Sequence, residues 1–197
     1  MKRLLLVVLL IAVGVFVYLK FATNGFSARA EPTGIEKLLA RTARAFAVSD
    51  SVKAMQNPAA NTPEVLSQAQ AHWADHCAGC HANDGSGDTE MGRNMYPRAP
   101  DMRQAATQKL TDGELFFIIE NGIRLSGMPG WGGSAHSAED SWKLVRFIRH
   151  LPQVSQDEER EMRKMNPRTP AEMQEEKEEE EFLNGENANE PHHEHHH

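Results

Sequence analysis

Both cysteines of the 197-residue chain lie in one short segment, Cys77-Ala78-Gly79-Cys80-His81. Residues three apart share one side of a helix, so the two thiols and the following imidazole can face a single ligand. Redox dithiols, zinc sites and covalently attached haem all use a C-x-x-C spacing. Because the chain has only 2 cysteines, a disulfide-stapled scaffold and a four-cysteine zinc site are excluded.

The surrounding sequence separates the remaining kinds of site. A redox dithiol is expected beside a βαβ unit, and no segment of this chain alternates with the period of two that a strand requires. A zinc site needs two more soft ligands, which no other cysteine supplies. The pattern therefore predicts one haem c, attached through thioethers to Cys77 and Cys80, with His81 as an axial ligand of the iron.

The second axial ligand has several candidates, and an open sixth position is a further alternative. The candidates are Met91, Met95, Met102, Met128 and His136. We favour Met128 because its loop, residues 126–131, has glycines that allow a close approach to a ring and a proline that fixes the backbone. The other three methionines are expected to pack in the core or the pocket. Three further histidines, His72, His76 and His150, are expected on surfaces or helix contacts rather than on the iron.

The amino terminus carries a membrane-targeting pattern. Lys2 and Arg3 precede an unbroken apolar run from Leu4 to Leu19, whose length lies between a long signal sequence and a short membrane span. The basic flank predicts a cytoplasmic N-terminus and places the rest of the chain on the periplasmic side of a bacterial cytoplasmic membrane. We favour an uncleaved single-span anchor. Cleavage at Ala28-Arg29-Ala30, which would release a soluble periplasmic protein, is the alternative.

The periodicity of the remaining sequence predicts an all-α protein. Residues 34–56 have the apolar spacing of an amphipathic helix, interpreted as packed on the following domain, with a basic face against anionic lipid as the alternative. Thr62-Pro63 begins a helix that runs into the cysteine motif. Thr111-x-x-Glu114 and Ser137-x-x-Asp140 each begin a further helix, the first of which ends at Gly122.

The net charge of −7 is concentrated at the carboxyl end, because residues 154–197 contain 14 acidic and 5 basic side chains. This acidic balance argues against binding nucleic acid through its phosphates. Residues 172–181 offer little to bury, so this acidic tail is expected to be solvated helix or disordered. Its last residues, 191–197, are rich in histidine and can bind a divalent metal, or they are simply a solvated low-complexity end.

Residues 62–153 resemble the class I, or mitochondrial-type, monohaem cytochromes c. They are similar to the cytochrome subunits of C-type haem-copper oxidases and of periplasmic dehydrogenases. The resemblance rests on Cys77-x-x-Cys80-His81, on Met128-Pro129, and on the segments 110–115 and 142–149. It implies a cytochrome c fold, with three main helices around one covalent haem. The chain then divides into an anchor or signal segment (1–30), an amphipathic helix and linker (31–61), the cytochrome domain (62–153) and the tail (154–197).

The resemblance also implies how the domain packs. The first and last helices of such domains cross near a small residue and an aromatic residue upstream of the cysteine motif. Ala69 and Trp73 occupy those positions here and are expected to face Leu144 and Phe147.

Three further residues are assigned to the haem surroundings. The resemblance implies that the Pro100 carbonyl accepts the other ring N–H of His81, which would fix its tautomer. Arg98 is expected either to bind a haem propionate or to be an ordinary surface arginine. Trp131 is expected to donate to a propionate, to cover the haem edge, or to be a large core residue.

These features imply an electron-transfer protein rather than an enzyme. An iron with two protein ligands has no vacant place for substrate, so the expected function is one-electron transfer in a respiratory chain. A dehydrogenase, a quinol-oxidising complex or a terminal oxidase would be the redox partner, with the chain as a carrier or a subunit of such a complex. A haem-based sensor or peroxidase-like protein with a labile sixth ligand is the alternative, and a docking module with a structural haem is a third.

Overall fold

In a computed structural model of the protein, residues 2–22, 27–133, 137–168 and 170–187 are described. These residues are helical and contain no strand, which confirms the all-α prediction. The chain divides into two compact units, Met1–Met165 and Asn166–His197.

Helices of very different length make up the first unit. In chain order they are α1 (Lys2–Ala22), α2 (Gly34–Ala47), α3 (Asp50–Lys53), α4 (Pro63–His72), α5 (Ala78–His81), α6 (Glu90–Arg93), α7 (Ala105–Gln108), α8 (Asp112–Asn121), α9 (Ala138–His150) and α10 (Gln156–Met165). A π-helical turn, Trp73–Cys77, joins α4 to α5, and a 3-10 turn, Leu151–Gln153, follows α9. The described part of the second unit contains α11 (Pro170–Asn187).

The main helices begin where side chains can satisfy their first backbone amides. The Thr62 hydroxyl accepts a hydrogen bond from the Val65 amide at the start of α4. Capping boxes form between Thr111 and Glu114 at the start of α8 and between Ser137 and Asp140 at the start of α9. These contacts confirm the three helix starts, and each cap contributes about 1 kcal/mol.

The core lies where α4 crosses α9. Ala69 and Trp73 are 1% and 2% exposed, and Leu144 and Phe147 of α9 are 2% and 0% exposed. The rings of Trp73 and Phe147 lie 5.4 Å apart at a tilted angle, within the range of favourable aromatic pairs. The crossing implied by the resemblance is therefore confirmed.

The amino-terminal helix α1 contains a segment, Lys2–Lys20, of 19 residues with a mean hydropathy of 2.4 and 0% of its window buried. By length and composition it is able to cross a membrane, although a signal sequence near an N-terminus has the same properties.

The predicted helix over residues 34–56 is instead two helices, α2 and α3. The chain turns at Val48, which is 2% exposed, and Ser49 caps α3 by accepting a hydrogen bond from the Val52 amide. The expected packing of this helix on the domain is not made by its apolar stripe, because α2 has no buried residue. Val48, rather than the apolar stripe of α2, enters the protein interior.

The packed unit continues past residue 153, where the sequence places the start of the tail. Met162 of α10 is 0% exposed and belongs to the core. Gln70 of α4 donates to the Glu158 carbonyl at 3.2 Å, and the His150 ring lies 2.7 Å from the Glu158 carboxylate. One buried methionine and these polar contacts hold α10 on the domain despite its high charge. The histidine-rich residues 191–197 lie outside the described residues.

Candidate functional site

An apolar cleft of about 380 Å³ opens beside α5, α8 and α9, a size typical of cofactor sites. All the described residues that the sequence assigned to the site or to its ligand candidates line this cleft. They are Cys77, Cys80, His81, Met91, Met95, Arg98, Pro100, Met102, Met128 and Trp131. The remaining ligand candidate, His136, lies outside the described residues.

The cysteine motif sits where the helix from Pro63 changes its winding. The π-helical turn ends at Cys77, and α5 carries Cys80 and His81. Inserted π turns occur frequently at functional sites because they re-aim the side chains that follow. The Trp73 indole N–H donates to the Ala82 carbonyl at 3.0 Å, and its ring lies 5.8 Å from the His81 ring. The buried Trp73 therefore packs against His81 and fixes the backbone at the end of the motif.

Burial sets the protonation of the motif. Burial raises the pKa of the Cys77 thiol to about 12, and the nearby Cys80 adds to this shift. Burial also raises the pKa of the Cys80 thiol. A redox dithiol works through a lowered thiol pKa, so these surroundings do not suit it. Burial lowers the pKa of His81 to about 4, which keeps the imidazole neutral, the form that binds a metal.

The hydrogen bonding of the second ring nitrogen of His81 differs from the prediction. His81 Nδ1 is buried and has no hydrogen-bond partner among the residues that the structure describes, so the bond expected with Pro100 is not formed. The loop that contains Pro100 is fixed by other backbone hydrogen bonds. The Ala99 amide donates to the Gly92 carbonyl at 3.0 Å, and the Met102 amide donates to the Gly85 carbonyl at 2.8 Å. Leaving this buried His81 nitrogen unpaired costs about 1–3 kcal/mol.

The loop after the motif is fastened to the motif itself. The Thr89 hydroxyl donates to the Gly79 carbonyl at 2.8 Å. A Cβ at Gly92 would lie 2.3 Å from the Cys80 carbonyl oxygen, so only glycine fits this close approach. The loop thus shapes one side of the cleft around the cysteines.

The Met128 loop folds back over the end of α8. Gly122 ends this helix with a φ of 66°, and a Cβ there would lie 2.5 Å from the Gly130 nitrogen. The Ile123 amide donates to the Met128 carbonyl at 3.1 Å, and the Met128 amide donates to the Ser126 hydroxyl at 3.1 Å. Gly122 is therefore a positioning residue for Met128, and the predicted end of α8 at Gly122 is confirmed.

Two residues at the rim have contacts of their own. The Arg98 guanidinium forms an ion pair with Glu31 at 3.2 Å, and both side chains are largely exposed. Trp131 is partly buried against the core, and its ring lies 5.4 Å from that of His76. His76 itself lines the cleft, so Trp131 and His76 together form part of its wall.

Sequence reasoning missed several residues of the cleft, among them the polar Arg44, His76 and Thr107, together with apolar ones. Arg44 of α2 lines the cleft although it lies outside residues 62–153, and no local pattern distinguishes it from other basic residues of the helix. The apolar walls come from Leu110, Leu115, Ile118, Ile119, Ile123, Leu144 and Ile148. The helical periodicity of α8 and α9 marks most of these as apolar faces, but not as walls of a cleft.

Residues 64–148 match the family model described as cytochrome C oxidase, cbb3-type, subunit III. The domain is a class I c-type cytochrome. A search of curated proteins finds no significant match. The match confirms the resemblance that the motifs indicate. It also confirms the predicted cytochrome c fold.

A cytochrome c domain implies covalently bound haem and a haem-based electron carrier. The residues present fit such a group. The cleft has apolar walls, two protonated thiols, a neutral imidazole and a methionine.

Proposed function

We propose that this protein is a membrane-anchored one-electron carrier of a respiratory chain, with a single haem c held between His81 and Met128. The observation that carries the proposal is that Cys77, Cys80, His81 and Met128 all line one apolar cleft. This cleft lies within the segment that matches the cytochrome family.

Each of the four residues has a separate role. Cys77 and Cys80 would each add a thiol S–H across one vinyl group of the haem, and the two resulting thioethers would fix the group against α5. His81 binds the iron as a neutral imidazole, consistent with the burial that lowers its pKa to about 4. The Met128 thioether would serve as the second protein ligand of the iron, and it would favour the ferrous state relative to a second histidine.

The rest of the cleft controls access. Haem c, when bound, supplies a one-electron iron couple. The apolar walls from α8 and α9 exclude water, which disfavours the more highly charged ferric state. Met91 and Ile123 line the cleft while remaining 57% and 41% exposed. Electrons therefore enter and leave at an edge near these two residues, without a vacant position for substrate.

The anchor and the location follow from α1. A helix of 19 residues rises about 28 Å at 1.5 Å per residue, close to the thickness of a bilayer core. Lys2 and Arg3 orient it with the N-terminus in the cytoplasm. The cytochrome domain then faces the periplasm, where a dehydrogenase, a quinol-oxidising complex or a terminal oxidase is the partner. Tethering raises the local concentration of the carrier near that partner.

The domain organisation is part of the proposal. The segments are the anchor (1–30), the amphipathic helix and linker (31–61), the cytochrome domain and the tail. Because α10 packs on the core through Met162, the cytochrome domain extends from residue 62 to Met165. The last residues of the tail, 191–197, are rich in histidine and can bind a divalent metal, with a solvated low-complexity end as the alternative.

Two measurements test the haem assignment. Intact mass spectrometry of the protein from its native membrane should show the mass of one added haem, and it reports processing at Ala30 in the same spectrum. The oxidised protein should show the weak near-infrared sulfur-to-iron band. Met128→Ala should abolish that band, whereas Met91→Ala, in the same cleft, should leave it intact.

The outcomes separate the competing functions. If Met128→Ala leaves the band unchanged, Met128 is not the ligand. If the wild-type protein lacks the band and binds carbon monoxide or reacts with peroxide, a sensor or peroxidase-like role replaces the carrier. Rapid oxidation of the reduced protein by native membranes is expected, and its absence would contradict a respiratory role.

A further inference from the structure

The apolar side of α2 is left uncovered. Four large apolar residues follow spacings of three, four and seven, which places them on one face of the helix. They are Ile35, Leu38, Leu39 and Phe46, and they are 72%, 64%, 63% and 85% exposed. Their exposure is unusual for a helix of a compact domain, so this face points to a partner outside the described residues.

The opposite side of the same helix contacts the cytochrome domain. Arg44 lies about half a turn from Ile35 on the helix, is half-buried, and lines the cleft. Glu31, just before α2, forms an ion pair with Arg98 beside the cleft. These polar contacts turn the apolar face away from the cleft.

The position of α2 in the chain limits what can cover this face. Eleven residues, 23–33, connect α1 to α2, and an extended chain of that length spans at most about 40 Å. If α1 crosses the membrane, as proposed above, α2 begins within that distance of the bilayer surface. The composition also suits lipid, because Arg41 follows Leu38 by three residues at the edge of the apolar stripe and can meet anionic headgroups.

We infer that α2 lies in the lipid–water interface, with Ile35, Leu38, Leu39 and Phe46 in the upper acyl region of the bilayer. The inference rests on the membrane anchoring proposed for α1. Because Arg44 of the same helix lines the cleft, interfacial binding fixes the cleft close to the membrane surface. The anchor then supplies proximity, and α2 supplies the orientation in which the haem edge meets a membrane-embedded partner.

The test uses the full haem-loaded chain in vesicles of phosphatidylcholine and phosphatidylglycerol, some of whose acyl chains carry bromine near the headgroup. A bimane label is attached to Leu39→Cys, and in a matched control to Lys37→Cys on the polar side. Both positions are exposed, so labelling leaves the fold intact, and Cys77 and Cys80 are occupied by haem. We expect brominated lipid to quench the Leu39 label several-fold more strongly than the Lys37 label.

Flotation of the same samples separates this inference from the anchor. Chains that float with vesicles but show equal, weak quenching at both labels overturn the interfacial helix and leave the anchor standing. Chains that fail to float overturn both. A Leu39 label that is shielded from lipid only when native membrane proteins are added assigns the face to a protein partner, and this also overturns the inference.

Discussion

The helices α2 and α9 have similar sequence patterns, but the apolar side of α9 is buried and that of α2 is exposed. They have 14 and 13 residues, each begins with a capping box, and each carries an apolar stripe on one side. Phe147 of α9 is 0% exposed, whereas Phe46 of α2 is 85% exposed. Amphipathicity therefore shows that a face requires cover, but not whether the core, a membrane or another protein provides it.

The largest expected difference between the two helices is in stability. Phe147→Ala should lower the free energy of unfolding by about 3–5 kcal/mol, since it leaves a cavity against Trp73. Phe46→Ala, the matched change on α2, should alter it by at most about 0.5 kcal/mol. Denaturant unfolding of the haem-loaded protein in neutral detergent measures both. Similar losses for the two variants would mean that α2 packs on the domain after all.

A second comparison tests whether α10 packs in the core, as α9 does, or is exposed, as α2 is. Met162→Ala should destabilise the protein by about 2–5 kcal/mol because a fully buried side chain is removed. Met165→Ala, three residues further and 39% exposed, should change stability by at most about 0.5 kcal/mol. Thermal unfolding of both variants gives the measurement. An unchanged midpoint for Met162→Ala would return the domain boundary to residue 153.

The two capping boxes give a smaller and more local contrast. Thr111→Ala should cost about 1 kcal/mol of global stability, because α8 is part of the core. Thr33→Ala removes the equivalent cap from α2. The free energy of global unfolding should stay unchanged, because α2 is outside the core. Hydrogen exchange should instead show faster exchange confined to the first turn of α2. Loss of global stability in Thr33→Ala would contradict the separation of α2 from the core.

The smallest expected effect is the pH dependence of α2. Hydrogen bonds from the Thr33 hydroxyl and amide hold the pKa of Glu36 below its ordinary value of 4.5. A lowered pKa in the folded helix means that the carboxylate stabilises the cap above pH 4.5 and that this contribution is lost as the pH falls through the lowered value. Amide exchange near Thr33 should therefore quicken below pH 4.5, beyond the intrinsic pH dependence of exchange. Glu36→Gln should remove this additional acceleration of amide exchange. If the acceleration persists in Glu36→Gln, another titratable group causes it.

Much of the fold follows from local signals. Thr62, Thr111 and Ser137 mark helix starts because their hydroxyls can satisfy the first amides of a helix, and all three do so. The cysteine motif and Met128 were assigned to one site from residue type and spacing, and the structure brings them to one cleft. The break at Val48 and the burial of Met162 were not foreseen, because each depends on contacts with residues distant in the chain.

The sequence by itself determined the chemistry of this protein. The C-x-x-C-H segment, the methionine loop and the apolar amino terminus are continuous in the chain, and their properties come from residue type and spacing alone. Tertiary structure decided which faces are covered, which nitrogen of His81 lacks a partner, and that Arg44 reaches the cleft. The physical reason is that burial and pairing depend on distances between residues far apart in sequence, which periodicity does not encode.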